Sequence, residues 1–253
     1  MNKIEIIFFL FLVIIFVSVH SLFLLFMMEP PERKMLLFGA PLHDPEFVSR
    51  YLREGDIVGV AMGRGKQYVE NMLSQVPPEN RMIIAASFQD LDSFLQNLSI
   101  DISYIGYDLE RWPYTSRWEQ ENPVDAVRIM GEIAHSHGLR LVVAPSRYFN
   151  ERFGEEIAKY ADIYILQAKY YQAFLSLDEY NQTLRNLIGN LRAANPNLII
   201  FLDLSTSPKG RKTTAEEMWK HVEVLEDVID GMWVTYSPLC GEEFRRFLQI
   251  LRG

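Results

Sequence analysis

Eight short apolar runs, each followed by a segment with helical signals, constrain this chain more than any other feature. The runs are Lys34–Ala40, Asp56–Met62, Arg81–Ser87, Ile102–Glu110, Leu139–Pro145, Asp162–Gln167, Leu198–Leu204 and Gly231–Ser237. Each has the length of a strand, is rich in Val, Ile, Leu or Phe, and ends in small or polar residues, as a strand buried on both faces would. Between them, Asp44-Pro-Glu46 opens a helix that runs to Glu54, with Pro in its first turn. Gln67–Gln75 sets Tyr68, Met72 and Leu73 at helical spacing, and Asp90 caps Asp90–Leu98. Pro123–His137 carries Val124, Val127, Met130 and Ile133 on one stripe and ends at Gly138. Phe153–Tyr160 is short, and Leu177–Ala194 is long, stopped by Asn195-Pro196. Thr213 and Thr214, followed by Glu216 and Glu217, start a helix that reaches Glu226, and Glu242–Arg252 closes the chain.

Strand and helix alternating with short connections imply a parallel sheet. Eight such units in a chain of 253 residues imply an α/β fold of one kind, a single (β/α)8 TIM barrel over residues 35–253. An open doubly wound sheet is the runner-up. Against it, no Gly-x-Gly-x-x-Gly turn follows the first run, and Gly63-Arg-Gly65-Lys66 lacks the rest of a phosphate loop. The formal net charge of -8 and the absence of a long basic run exclude a nucleic-acid groove. The single cysteine, Cys240, excludes an internal disulfide and a cysteine-built metal site.

Ahead of the barrel, Ile6 to Met28 is apolar except at Ser18, His20 and Ser21, long enough to match the roughly 20 residues a membrane-crossing helix needs. No small-residue cleavage site of the Ala-x-Ala kind is visible. Residues 1–28 therefore read as an N-terminal transmembrane signal anchor and residues 29–34 as a stiff linker built on Glu29-Pro-Pro-Glu32. The barrel is expected on the extracytoplasmic side of a membrane, or secreted if the segment is cleaved.

A barrel of this type places its chemistry at the C-terminal ends of its strands. The fourth run ends Ile105-Gly-Tyr-Asp-Leu-Glu110. On a strand, Ile105, Tyr107 and Leu109 point one way while Gly106, Asp108 and Glu110 point the other. The two carboxylates then share a face, about 6.6 Å apart along the strand. The other run ends add Trp112 and Tyr114, Arg147, Gln167, Lys169 and Tyr170, Asp203, and Trp233 and Tyr236. Rings among carboxylates and amides suit a carbohydrate, since rings stack on sugar faces while polar groups take the hydroxyls.

On these residues the chain resembles the glycoside hydrolase barrels, nearest the chitinase-like family 18. That family's strand-4 signature is Asp-Gly-x-Asp-x-Asp-x-Glu. Laid on Ser103–Glu110, it is kept at Asp108 and Glu110 and lost at Ser103, Tyr104 and Gly106. Gln167-Ala-Lys-Tyr170 is similar to its strand-6 Gln-Met-x-Tyr, and Trp233 to the Trp that floors its sugar subsite. Phrases such as Tyr107-Asp-Leu-Glu110 and His137-Gly-Leu-Arg-Leu-Val-Val-Ala-Pro-Ser146 also resemble secreted bacterial proteins without an established activity. The glycosidase resemblance implies Glu110 as general acid, Asp108 raising its proton affinity, and Tyr170 supporting a substrate amide that acts as nucleophile. It implies no cofactor.

Two other readings stay open. Asp203 stands where many sugar-cleaving barrels carry the nucleophile, and is equally a structural carboxylate bonding Ser205, Thr206 or a neighbouring strand. Lys169 suits a Schiff-base lyase or, more ordinarily, a charge partner for Asp108 or Glu110. A catalytically inactive barrel that binds carbohydrate or a partner is the alternative to an enzyme. No His stands at metal-ligand spacing on a nearby strand end, so no metal is expected, and His135 and His137 read as a solvated helix end.

Overall fold

The computed structural model describes residues 35–38, 50–235 and 241–252. The strands are β1 (Met35–Phe38), β2 (Ile57–Ala61), β3 (Arg81–Ala85), β4 (Tyr104–Tyr107), β5 (Arg140–Val143), β6 (Ile163–Gln167), β7 (Ile199–Ser205) and β8 (Gly231–Thr235). All pair in parallel in chain order. β8 returns to β1 through Met35↔Gly231 and Leu37↔Trp233, so the sheet closes into a barrel and the open-sheet alternative falls. The described α-helices are α1 (Lys66–Leu73), α2 (Leu91–Gln96), α3 (Arg117–Glu121), α4 (Pro123–Ser136), α5 (Arg147–Ala158), α6 (Lys169–Phe174), α7 (Leu177–Ala194), α8 (Ala215–Glu223) and α9 (Gly241–Arg252). The expected anchor and linker, and the helix expected from Asp44 up to residue 49, lie outside the described residues. Among the described residues no helix is long and apolar enough to cross a membrane.

Period-two alternation divides the apolar side chains into two cores. Ile57, Met82, Tyr104, Val142, Ala144, Ile163, Ile165 and Phe201 pack together inside the barrel, with Ile84, Ile199 and Trp233 against them. Their strand neighbours Val58, Ile83, Ile105, Tyr107, Leu141, Val143, Tyr164, Leu166, Ile200 and Leu202 face the helical layer. The interior is plugged unevenly. Met82 and Ile84 of β3 reach across to two glycines. A Cβ on Gly59 would stand 2.7 Å from Met82 Cε and from Ile84 Cδ1, and one on Gly106 would stand 3.0 Å from Met82 Sδ. Gly106, one of the departures from the family-18 signature, is thus the space into which Met82 fits.

Three element boundaries differ from the sequence reading. The helix after β5 begins at Arg147 rather than Phe153, because Ser146 leaves the strand with extended backbone and the chain turns helical at once. Lys169 and Tyr170 are not a strand end but the first turn of α6. The short α3 was not expected. Ser116 and Glu119 form a reciprocal capping box that starts it, a Ser-x-x-Glu signal present in the sequence.

The lower end of the barrel is held by an ion pair between the last helix and the start of β2. Arg252 Nη2 donates to both oxygens of Asp56 at 2.7 Å, and the side chains are 11% and 1% exposed. The Arg53 amide adds a bond of 2.8 Å to the same carboxylate. Removing one partner of a buried pair costs about 3–5 kcal/mol. Arg252→Ala is therefore expected to lower unfolding free energy by about 3 kcal/mol or more in urea titrations. Arg117→Ala, which breaks an exposed pair with Glu121, should stay within about 0.5 kcal/mol of wild type.

Candidate active site

β4 continues to behave as a strand past Tyr107. The Asp108 amide donates to Ala85 O at 2.9 Å, and the Ala144 and Ser146 amides donate to Tyr107 O and Leu109 O, each at 2.9 Å. The parity of the strand is therefore kept. Tyr107 and Leu109 are fully buried towards the helices, while Asp108 and Glu110 follow Tyr104 and Gly106 on the interior side, partly buried at the mouth. The shared face expected of the two acids is what the structure has.

Neighbouring strands supply the groups they meet. Gln167 at the end of β6 donates from Nε2 to Glu110 Oε1 at 3.1 Å. In register, Gln167 lies beside Asp203, and Asp203 beside Trp233, so the three form one level across β6, β7 and β8. Lys169 Nζ stands 2.8 Å from Asp203 Oδ2, and the Asp203 side chain is only 5% exposed. This pairing is prepared by the backbone. Ala168 N bonds Asp203 O at 3.1 Å, and the Gln172 amide of α6 exchanges two bonds of 3.1 Å with the backbone of Ser205. The start of α6 is thereby pinned to the end of β7, which carries Lys169 onto Asp203.

The electrostatics follow from burial and charge count. Burial first, then the negative charge of Glu110, pushes the Asp108 carboxyl up to about 7. Lys169 opposes the rise and Asp203 adds to it. Burial alone would lower the Lys169 ammonium's proton affinity, but Asp203, Glu110 and Asp108 outweigh it and hold the group above its usual range. The resemblance had Asp108 raising the proton affinity of Glu110. Here Asp108 is the acid whose affinity is raised.

A carboxylate overlooked in the sequence holds the loop that follows. Glu119 is fully buried and accepts from Ser87 Oγ (2.7 Å), Phe88 N (2.8 Å), Tyr107 Oη (3.1 Å) and Ser116 N (2.9 Å). It joins the β3 loop, β4 and the start of α3. Burial, reinforced by Glu119, drives the Tyr107 phenol far above its usual range. Trp112 is fixed nearby, its indole donating to Thr115 Oγ1 and its carbonyl accepting from Gln120, each at 2.8 Å. The Ser-x-x-Glu spacing could have revealed Glu119 as a cap, but not its bonds to distant strands.

The remaining expected residues form a rim. Tyr114 is 73% exposed and stands edge-on to Trp112. Arg147 lies 3.8 Å over the Tyr170 ring, and Phe174 stands 4.8 Å from the same ring. Tyr170 thus carries an arginine over its ring at the start of α6. Arg111 and Arg152 lie 4.5 Å and 4.1 Å from the Tyr148 ring. Asp203 has Lys169 as its partner rather than Ser205 or Thr206. A lysine paired in this way is a poor Schiff-base nucleophile as long as it stays charged. Tyr236 lies outside the described residues. His135 and His137 are not merely solvated: they pair with Asp162 at 2.9 Å and Asp92 at 2.8 Å. Among the described residues no group of three His, Cys, Asp or Glu side chains is placed to hold a metal ion. A cleft of about 480 Å3 lies at the other end of the barrel, lined by Arg128, His135, Arg140, Lys159 and Asp162 among others, away from the strand ends where barrels carry chemistry.

No protein-family model matches the chain, nor does any curated protein sequence. Solved structures do match in shape. A chitinase from Chromobacterium violaceum aligns with TM-score 0.56 over 87% of this chain and 98% of that one, at 10% identity. A glycoside hydrolase family 17 β-1,3-glucanosyltransferase from Rhizomucor miehei aligns with TM-score 0.52 over 80% and 86%, at 11% identity. A 3-keto-L-gulonate-6-phosphate decarboxylase from Vibrio cholerae aligns with TM-score 0.58 over 87% and 96%, at 10% identity. The protein has the TIM-barrel fold that these enzymes share. The same fold carries other chemistry too, so the likeness settles architecture and not activity.

Asp108 holds its proton more tightly folded than unfolded. The stability this brings is full below an unfolded value near 4 and is lost as pH rises through about 7. Asp108→Asn is therefore expected to match wild type near pH 4 and to exceed it by roughly 2–4 kcal/mol near pH 8. Chemical denaturation at both pH values tests this, and a pH-independent difference would contradict it.

Proposed function

We propose that the protein hydrolyses a glycosidic bond, with Glu110 as general acid and Asp108 as the store of the proton. The observation that carries the reading is the convergence of Asp108 and Glu110 with Gln167, Lys169, Asp203 and Trp233 at one barrel mouth. Glu110 is the outer acid and faces the substrate. In the free protein the pair's proton rests on Asp108, near neutral pH. A sugar ring covering Glu110 desolvates that carboxylate, raises its proton affinity and draws the proton outward to the leaving oxygen as the glycosidic C–O bond breaks; water adds to the sugar carbon, and the proton it loses returns to the carboxylate pair. Trp233 and Trp112 offer rings for stacking, and Gln167 orients Glu110. Asp203 is assigned to holding Lys169 rather than to attacking the sugar, because it is buried and already ion-paired. The glycoside hydrolases of like fold, one of them solved with laminaritriose, support a saccharide as the ligand. The apolar run Ile6–Met28 supports placing the barrel outside a membrane, on the side where glycans lie.

A second reading, a silent saccharide-binding barrel, draws on Gly106, where Met82 fills the place of the family-18 relay aspartate. One experiment separates the two. Wild type and Glu110→Gln are incubated with a panel of oligosaccharides, and products and binding are both measured. The hydrolase reading expects product from wild type, falling off as pH rises through about 7, and at least a 100-fold loss in Glu110→Gln with binding retained. Binding without product from wild type at any pH establishes the silent barrel.

A further inference from the structure

We infer that the saccharide this mouth takes carries carboxylate groups, as a uronic-acid oligosaccharide does. The inference rests on the carbohydrate reading above and names its substrate class. Its basis is the rim. Three arginines are laid on two tyrosine rings: Arg111 and Arg152 on Tyr148, at 4.5 and 4.1 Å, and Arg147 on Tyr170, at 3.8 Å. Arg111 directly follows Glu110 in the chain, and Tyr170 directly follows Lys169, so both stacks border the acid-bearing floor.

A guanidinium held over a ring has its position restrained, and the N–H edge it does not spend locally stays available. That edge matches a carboxylate with two parallel hydrogen bonds. The local carboxylates leave this capacity unspent. Arg147 has Glu151 at 3.6 Å, but that glutamate also accepts the Tyr171 hydroxyl at 3.1 Å. Arg152 Nη1 donates to Tyr148 Oη. Arg111 and Arg152 have no ion-pair partner among the described residues, and all three arginines are exposed. In a chain of net charge -8, these three arginines share a single acidic partner, Glu151, among the described residues. A neutral glucan would make little use of them. On the floor, Lys169 is already paired with Asp203. An acidic sugar would place its ring over the floor and its carboxylates on the stacked guanidiniums.

Calorimetric titration of the full chain with two trisaccharides of equal length, trigalacturonate and laminaritriose, tests this. Trigalacturonate is expected to bind at least 10-fold more tightly. Its affinity should drop at least 10-fold in Arg111→Ala and in Arg147→Ala, and should weaken as sodium chloride is raised from 20 to 200 mM. Laminaritriose affinity should not respond to either substitution or to salt. Tighter binding of laminaritriose, or trigalacturonate binding indifferent to both arginines and to salt, overturns the acidic-sugar assignment and leaves the carbohydrate reading standing. Failure of both trisaccharides to bind overturns the assignment, and the oligosaccharide panel above decides the reading beneath it.

Discussion

Successive residues of a strand point to opposite faces, so closing a sheet into a barrel commits every second residue of β4 to one interior. Tyr104, Gly106, Asp108 and Glu110 share that fate, and their order along the strand sets a gradient from an apolar plug to a wet mouth. The plug explains the acid above it. Met82 and Ile84 fill the space beside Gly106, so no polar group underlies Asp108 through that position. Desolvation accordingly leads the causes of its raised proton affinity, ahead of the charge of Glu110. Where the family-18 signature has a further aspartate two residues before Asp108, this barrel has Gly106 with Met82 and Ile84 filling the space beside it.

The rest of the mouth keeps that acid in place and balances its neighbours. Gln167 orients Glu110 through a neutral amide, which leaves the carboxylate's charge intact. Lys169 neutralises Asp203, the buried carboxylate of β7, and is carried there because Gln172 and Ala168 tie α6 to the end of that strand. Glu119 performs the corresponding task on the other side, where four donors from three segments fix the loop that leads to Trp112. The positions of the reacting groups thus depend on two buried polar knots outside the mouth. Burying such groups is tolerable only because their bonding capacity is met.

Much of this was legible in the sequence because it depends on local period. Eight apolar runs gave eight strands, and two-residue alternation in Ile105–Glu110 correctly assigned Tyr107 and Leu109 to the helical layer and the two acids to the mouth. What was not legible depends on contacts between distant segments. Nothing near Lys169 in sequence indicates Asp203 as its partner, and nothing near Glu119 indicates Ser87 or Tyr107. The helix starts at Arg147 and Lys169 carry no sequence punctuation of their own, because only residues 144–146 and Ala168 separate them from the preceding strands. Hydrophobic period alone carries each apolar run to its end and makes the residues behind it strand tips. Reading them as first helical turns changes their role: Arg147 and Tyr170 then stack on one another at the rim instead of pointing separately into the barrel.

The most direct measurement of the central claim, an acid kept protonated by an apolar floor and a like-charged neighbour, is carbon-13 NMR of the Asp108 side-chain carboxyl. Its signal would be assigned by comparison with Asp108→Asn and followed from pH 3 to pH 9. The account predicts a midpoint near 7 that falls in Glu110→Gln yet stays above the ordinary aspartate range, because burial remains. A midpoint near 4 in the wild-type protein would contradict it.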